Sequence, residues 1–400
     1  MRSAVATLVI LVLSCASSAE EHVSISIDRV RDEVRLEIER ADGTELLAIL
    51  HRFSVRAPGF RAIEATSAGI RDVPTPSVET WRGVVLDGER RIGTMAASVE
   101  GAQVRAVMVP TSNSEDPAIL AIEPQPGSPM HLLTPLGDEL ATLGAVCGTP
   151  SDPLAAALSR VAIGSETDDD RVLELAVDTD FEYYLQRRRR GVVPGIEQIF
   201  NAVDLIYQRD IDVPIRLSAV IIRPDQDDPY SATSGGGRLG ELQTEWQGPM
   251  SGVRRDLAHL ISGIDFDGGV VGVAFVGVAC STGAGYGVTQ YNGLSFGSVV
   301  GVAAHEVGHN FNASHCDGDS DCWIMCSGLG GCGGDLGRFG SRSISSMRAH
   351  TAARECLTDT LEPGVFDLPF MDDFDRQPFL DQEKWPVSSK ATKRRINDAP

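Results

Sequence analysis

The chain has 400 residues, with 56 acidic against 35 basic side chains and a formal net charge of −21. That balance argues against nucleic acid or an anionic membrane surface as a partner, because phosphate binding rests on clustered basic side chains. Its length predicts two or three folded units rather than one.

In chain order, residues 1–19 read as an export leader: Arg2 supplies positive charge, Val5 to Leu13 an apolar core, and Ser17-Ser18-Ala19 a small-residue cleavage site. Val12-Leu13-Ser14-Cys15 offers the alternative of a lipid-anchored cysteine. No other segment has the ~20 apolar residues needed to span a bilayer. Residues 20–165 carry alternating runs such as Val23-Ser24-Ile25-Ser26-Ile27 and Val34-Arg35-Leu36-Glu37-Ile38, which predict strands. The acidic stretch Glu166 to Asp170 predicts an exposed linker open to proteolysis.

From 166 to 360 the pattern changes. Strands are expected at Val172–Val177 and Ile215–Ile222, an amphipathic helix at Ile196–Tyr207, partly helical chain from Leu239 to Ser262, and a core strand over Val270–Ala279. Alternating strands and helices indicate an α/β sandwich. Arg187-Arg188-Arg189-Arg190 reads as a solvated loop or helix start rather than a processing site. Residues 361–400 form a linker, and Phe370 to Asp375 with Trp385 resembles the opening strand of lectin-like β-sandwich modules.

The most informative stretch is His305-Glu306-Val307-Gly308-His309, followed by His315. Four-residue spacing puts His305 and His309 on one helix face, with Glu306 beside them. Three neutral imidazoles would leave one tetrahedral position of Zn²⁺ open, the mark of a catalytic rather than a structural site. Glu306 is then placed as general base, not ligand. The preceding segment Phe296–Ala304 is apolar nearly all round and predicts a buried helix with Ser298 as its N-cap. Bringing His315 back to the metal needs an unusual backbone conformation, and Asn312 sits where that turn should fall. His22, His51, His131, His259 and His350 show no ligand spacing. Loss of Cys15 with the leader leaves an odd number of cysteines; Cys280, Cys316, Cys322, Cys326, Cys332 and Cys356 cluster in one region, and Cys147 stands alone.

His305 to His315, together with Met325 in Cys322-Trp323-Ile324-Met325-Cys326, resembles the metzincin signature and its methionine turn; the Gly-His-Asn-Phe run is similar to the reprolysin (adamalysin-like) group. The likeness runs from about Arg171 to Asp359, with two departures: Asn312 replaces the family glycine, and Cys316 separates His315 from Asp317. The resemblance implies a metzincin-like α/β catalytic domain, zinc held by His305, His309 and His315, and peptide substrates bound in extended form along the segment Gly285-Tyr286-Gly287-Val288 as edge strand. It also implies a Cys280–Cys356 disulfide, while the other four cysteines allow three pairings. Cys147-Gly148-Thr149 is similar to the cysteine switch of latent metzincins, which makes residues 20–165 a β-rich propeptide whose thiolate blocks the metal. A calcium ion is implied at Glu174, Asp256, Asp359 and the carbonyl of Cys356. Asp317 to Asp321 lacks the glycine and glutamate of a helix-loop-helix calcium loop. The expectation is an exported zinc endopeptidase made as a latent precursor; the alternative is a catalytically silent adhesion or binding module on the same fold.

Overall fold

The computed structural model describes residues 20–30, 32–111, 118–150, 171–330, 332 and 336–358. The expected leader, the acidic linker and the C-terminal module lie outside the described residues, and so does Asp359. All of the described residues fall within the compact unit Met1–Asp359.

The N-terminal strands are β1 (Glu21–Val30), β2 (Glu33–Glu39), β3 (Glu45–Arg52), β4 (Arg56–Thr66), β5 (Gly69–Val73), β6 (Thr80–Asp87), β7 (Arg90–Glu100), β8 (Gln103–Pro110), β9 (Leu120–Pro124) and β10 (His131–Pro135). Eight of them close into an antiparallel barrel in the order β1-β10-β9-β8-β7-β6-β3-β2. Period-two patterning produces it: Val34, Leu36 and Ile38 of β2 and Leu46, Ala48 and Leu50 of β3 point into one core with Trp81, Met95 and Ile122.

After the barrel come α1 (Asp138–Leu143), β11 (Val146–Cys147), β12 (Leu173–Thr179), α2 (Phe181–Ile211), β13 (Ile215–Ile222), α3 (Gly235–Gln247), β14 (Leu257–Ser262), β15 (Val270–Ala274), β16 (Tyr286–Gln290), α4 (Phe296–Asn310) and α5 (Ser341–Ala352). The second sheet has the order β11-β15-β16-β14-β12-β13-β4-β5. Strands β12, β13, β14 and β16 are parallel and buried along their whole length, as expected where helices cover both faces. Leu242 and Trp246 of α3 pack with Ala219, Ile221, Leu260 and Val288. α2 and α4 pack on each other, with α2 against β13 and α4 against β16.

Several expectations need correcting. The stretch Leu239 to Ser262 is helical in part, as expected, to Gln247; the strand Leu257–Ser262 that ends it was not anticipated, because burial on both faces hides the period-two signal. The apolar run from Val270 is strand only to Ala274, and α2 extends well beyond Ile196–Tyr207 at both ends. Arg187–Arg190 lies within α2, which is broken at Arg188 with φ 58° and ψ 159°. The segment Gly285–Val288 is not an edge: β16 is flanked by β14 and β15, and β15, which pairs antiparallel to β16, is in turn covered by β11 at the sheet edge.

The N-terminal region is also not confined to its barrel. β4 and β5 leave it to extend the second sheet, β4 pairing parallel with β13 through Leu217↔Arg56 and Ala219↔Arg61 to Ile222↔Glu64. At the opposite edge β11 pairs parallel with β15.

Candidate metal centre

α4 starts at Ser295, whose Oγ accepts the Ser298 N–H at 3.2 Å; Ser298, expected as the cap, is the third helical residue. Two carboxylates from the N-terminal region complete this terminus. Glu123 accepts from the N–H groups of Phe296 and Gly297 at 3.0 and 3.1 Å, and Glu139 accepts from Ser295 N–H at 3.0 Å and from the hydroxyls of Ser295 and Ser298. Acids at a helix N-terminus satisfy its free N–H groups and its dipole. Residues Gly297–Asn310 are all buried, as the apolar sequence requires.

One turn apart on α4, His305 and His309 bring their Nε2 atoms to 3.1 Å, and His309 Nε2 lies 3.2 Å from His315 Nε2. Their other nitrogens are committed: His305 Nδ1 meets the Ile324 carbonyl at 2.5 Å and His309 Nδ1 the Ala313 carbonyl at 2.7 Å. A carbonyl only accepts, so each Nδ1 carries the proton and each facing Nε2 presents a lone pair. Converging lone pairs repel unless a cation lies among them, and this donor set fits zinc. Burial holds His305 down to about 3 and His309 well below its usual range, so both are neutral and ready to ligate.

His315 reaches the group because the chain turns at Asn312, which takes φ 76°. Asparagine is among the few side chains that tolerate this region, and here it also donates to Ser346 Oγ at 3.1 Å while Ser346 Oγ returns a bond to its carbonyl. Met325 is fully buried beneath α4; a Cβ on Gly308 would lie 2.7 Å from its sulfur and 3.0 Å from the Phe339 ring, so glycine here allows this close packing without displacing either. Cys280–Cys356, Cys316–Cys322 and Cys326–Cys332 are bonded, which resolves the three open pairings.

Glu306 is fully buried beside the imidazoles, its Oε1 has no hydrogen-bond partner among the described residues, and burial pushes its carboxyl up to about 8. β15 passes so close that a Cβ on Gly272 would stand 2.4 Å from that oxygen. Cys147 Sγ lies 3.5 Å from His309 Nε2 and 3.6 Å from Glu306 Oε2, and its ligand atom and those of the three histidines all fall within 4.8 Å of one another. Burial, then the Glu306 charge, pushes this thiol well above its usual range when no cation is near.

Backbone contacts on both sides hold Cys147 in place. Cys147 N–H donates to the Ser327 carbonyl at 3.0 Å, Gly148 N–H to the Gly272 carbonyl at 2.9 Å, and Thr149 Oγ1 bonds both the N–H and the carbonyl of Ala274. Glu123, Glu139 and Gly272 were not singled out by the sequence, and Thr149 only as the end of Cys147-Gly148-Thr149; the two acids are set apart by nothing local.

The calcium expectation is not carried forward. Glu174 pairs with Arg254 at 2.6 Å, Asp256 accepts the Glu174 N–H at 2.7 Å, and Asp359 lies outside the described residues. Glu174 and Asp256 thus meet protein donors.

Residues 194–316 match the family Reprolysin_3, described as Metallo-peptidase family M12B Reprolysin-like. The chain is 30% identical over 183 residues to human disintegrin and metalloproteinase domain-containing protein 9, covering 45% of this chain and 22% of that protein. It is 27% identical over 207 residues to the human domain-containing protein 33 of the same name, covering 49% and 25%. It thus spans no more than a quarter of the length of these relatives. Metalloproteinase-II from Bacteroides fragilis aligns with a TM-score of 0.41 at 11% identity, covering 70% of this chain and 80% of that one. Through residues 194–316, this chain is similar to the reprolysin-type M12B metallopeptidase family.

Proposed function

We propose that the protein is a secreted zinc-dependent endopeptidase made as a latent precursor, on a metzincin-like catalytic domain. The observation that carries this reading is the convergence of three Nε2 atoms, His309 Nε2 lying 3.1 Å from that of His305 and 3.2 Å from that of His315, with the Glu306 carboxylate alongside. His305, His309 and His315 would hold the zinc. Bound there, it would polarise a peptide carbonyl and lower the pKa of water to about 7. Glu306 takes the proton from the attacking water and returns it to the leaving amine; burial raises its proton affinity toward the range in which both steps run near neutral pH. The Nδ1 bonds to Ile324 and Ala313 fix the ring orientations.

Substrate would lie extended along β15, held by main-chain hydrogen bonds to Gly272 and Ala274, the groups that Gly148 and Thr149 use. While Val146–Thr149 occupies that edge, substrate is excluded, and Cys147 stands ready to ligate the zinc as thiolate, since a coordinating cation reverses the local preference for the neutral thiol. Residues 20–165 thus serve as a propeptide. Three disulfides support folding in an oxidising compartment, consistent with export.

The test compares peptide cleavage by processed, zinc-loaded protein with that by Glu306→Gln, each with and without chelator. Turnover should fall by roughly 10²–10⁴-fold in the mutant and vanish on chelation. Equal turnover in folded Glu306→Gln would overturn the reading.

A further inference from the structure

The far edge of the second sheet is built from two parts of the chain that the latent-precursor reading separates. β13 belongs to the catalytic body, and its outer side is covered by β4 of the N-terminal region. This is more than surface contact. Ile63 is fully buried and Ala65 nearly so, and both belong to the core cluster that α3 closes with Ala219, Ile221, Leu242 and Trp246. The register continues outward, with the Leu217 N–H donating to the Val55 carbonyl at 2.8 Å and Ser67 bonding Asp225 at 3.0 and 3.1 Å.

Ionic contacts extend the same seam. Arg82 of β6 reaches Asp204 of α2 at 2.7 Å with both side chains essentially excluded from water, and its guanidinium also donates to the carbonyl and side-chain oxygens of Asn201. Arg56 of β4 pairs with Glu197 of α2. All these groups lie on the barrel and hairpin side, distinct from the Val146–Thr149 segment at the metal centre.

We propose that the β13 edge is a strand-docking surface whose occupant is the β4–β5 hairpin, and that this contact keeps the N-terminal body bound after the chain is cut within residues 151–170, independently of Cys147. The proposal rests on the reading of residues 20–165 as a propeptide. Its physical basis is that scission removes only the covalent link: departure would open an apolar sheet edge, strip the buried side of Ile63, and leave a parallel ladder without its partner strand. The cut chain is therefore a two-piece complex, and release needs a second event that disrupts β4, such as a further cut in the hairpin or a competing strand.

The experiment places a site-specific protease sequence within 151–170 of the full chain, cuts it, and follows both fragments by native size-exclusion chromatography from micromolar to nanomolar concentration. Wild type and Cys147→Ala should co-elute alike at micromolar concentration. Cut Ile63→Asp should separate while its uncut form keeps native circular dichroism. If Ile63→Asp does not fold, Ile63→Ala should loosen retention by at least about tenfold. Separation of the wild-type fragments at micromolar concentration, release by Cys147→Ala alone, or unaltered retention in the Ile63 variants would overturn the proposal. Co-elution requires neither zinc nor turnover, so it can hold even if the protease reading fails, and the reverse.

Discussion

The second sheet meets the N-terminal region at both edges, and the two contacts differ in kind. At the metal end it meets two-residue β11, held by a few backbone bonds and by Thr149; at the far end it meets β4, eleven residues long, which contributes side chains to the hydrophobic core. The first contact is small and chemically exact, aiming one sulfur at three imidazoles. The second is extensive and chemically plain. The pairing separates silencing from holding: a short segment can block a reactive centre only if something larger fixes its position.

Substitutions can test that division. The largest effect is expected at the holding seam. Burial opposes ionisation of Asp204, yet Arg216 and Arg82 keep its carboxyl below the usual range. Asp204→Asn removes the carboxylate that two buried guanidiniums share and should destabilise the precursor by about 3–5 kcal/mol, read as a drop in the urea midpoint. An unchanged midpoint would show that the seam carries little. Cys147→Ala should do the opposite, raising peptide turnover of the uncut precursor by about a hundredfold or more, equivalent to about 2.7 kcal/mol, while moving the melting temperature by no more than about 2 °C. Equal latency in that variant would remove the switch.

Thr149→Val keeps the shape but loses both bonds to Ala274, and basal turnover should rise about tenfold. No rise would place the whole of latency on the thiol.

The smallest effect belongs to neither edge. His259 in β14 is fully buried, and burial brings it down to about 3. The unfolded chain binds that proton near pH 6.5, so the stability contributed by neutral His259 is present above 6.5 and is lost as pH falls. Between pH 7 and pH 6 this amounts to about 0.7 kcal/mol, seen as a lower melting temperature that His259→Gln should flatten. Persistence of the acid loss in that variant would assign it to other buried histidines.

Much of the metal centre was legible because it is local. His305, Glu306 and His309 share one helical turn, and the need to bend the chain back pointed to Asn312, which does take positive φ. The cap was misplaced by three residues because Ser295 and Ser298 satisfy the same rule and only the chain path distinguishes them. The edge assignment failed for a related reason: strand order depends on partners, and β16 and β15 are both short, largely buried strands with nothing local to say which is flanked. Least legible of all was β4. Its pairing with β13 joins residues more than 150 positions apart, and its pattern could equally have closed within the barrel. The same holds for Glu123 and Glu139, ordinary acids until the fold sets them against α4.

Of the three imidazoles, His315 alone stands off the helix, and the next residue, Cys316, is bonded to Cys322 six positions on. The disulfide therefore does part of the ordering that zinc would otherwise have to impose when it binds. Reduction would return that cost to the binding step. A reductant that does not itself bind zinc, such as a phosphine, should thus behave toward this protein as a weak competitor for the metal, loosening it without ever touching it and making metal occupancy report the redox state of its surroundings.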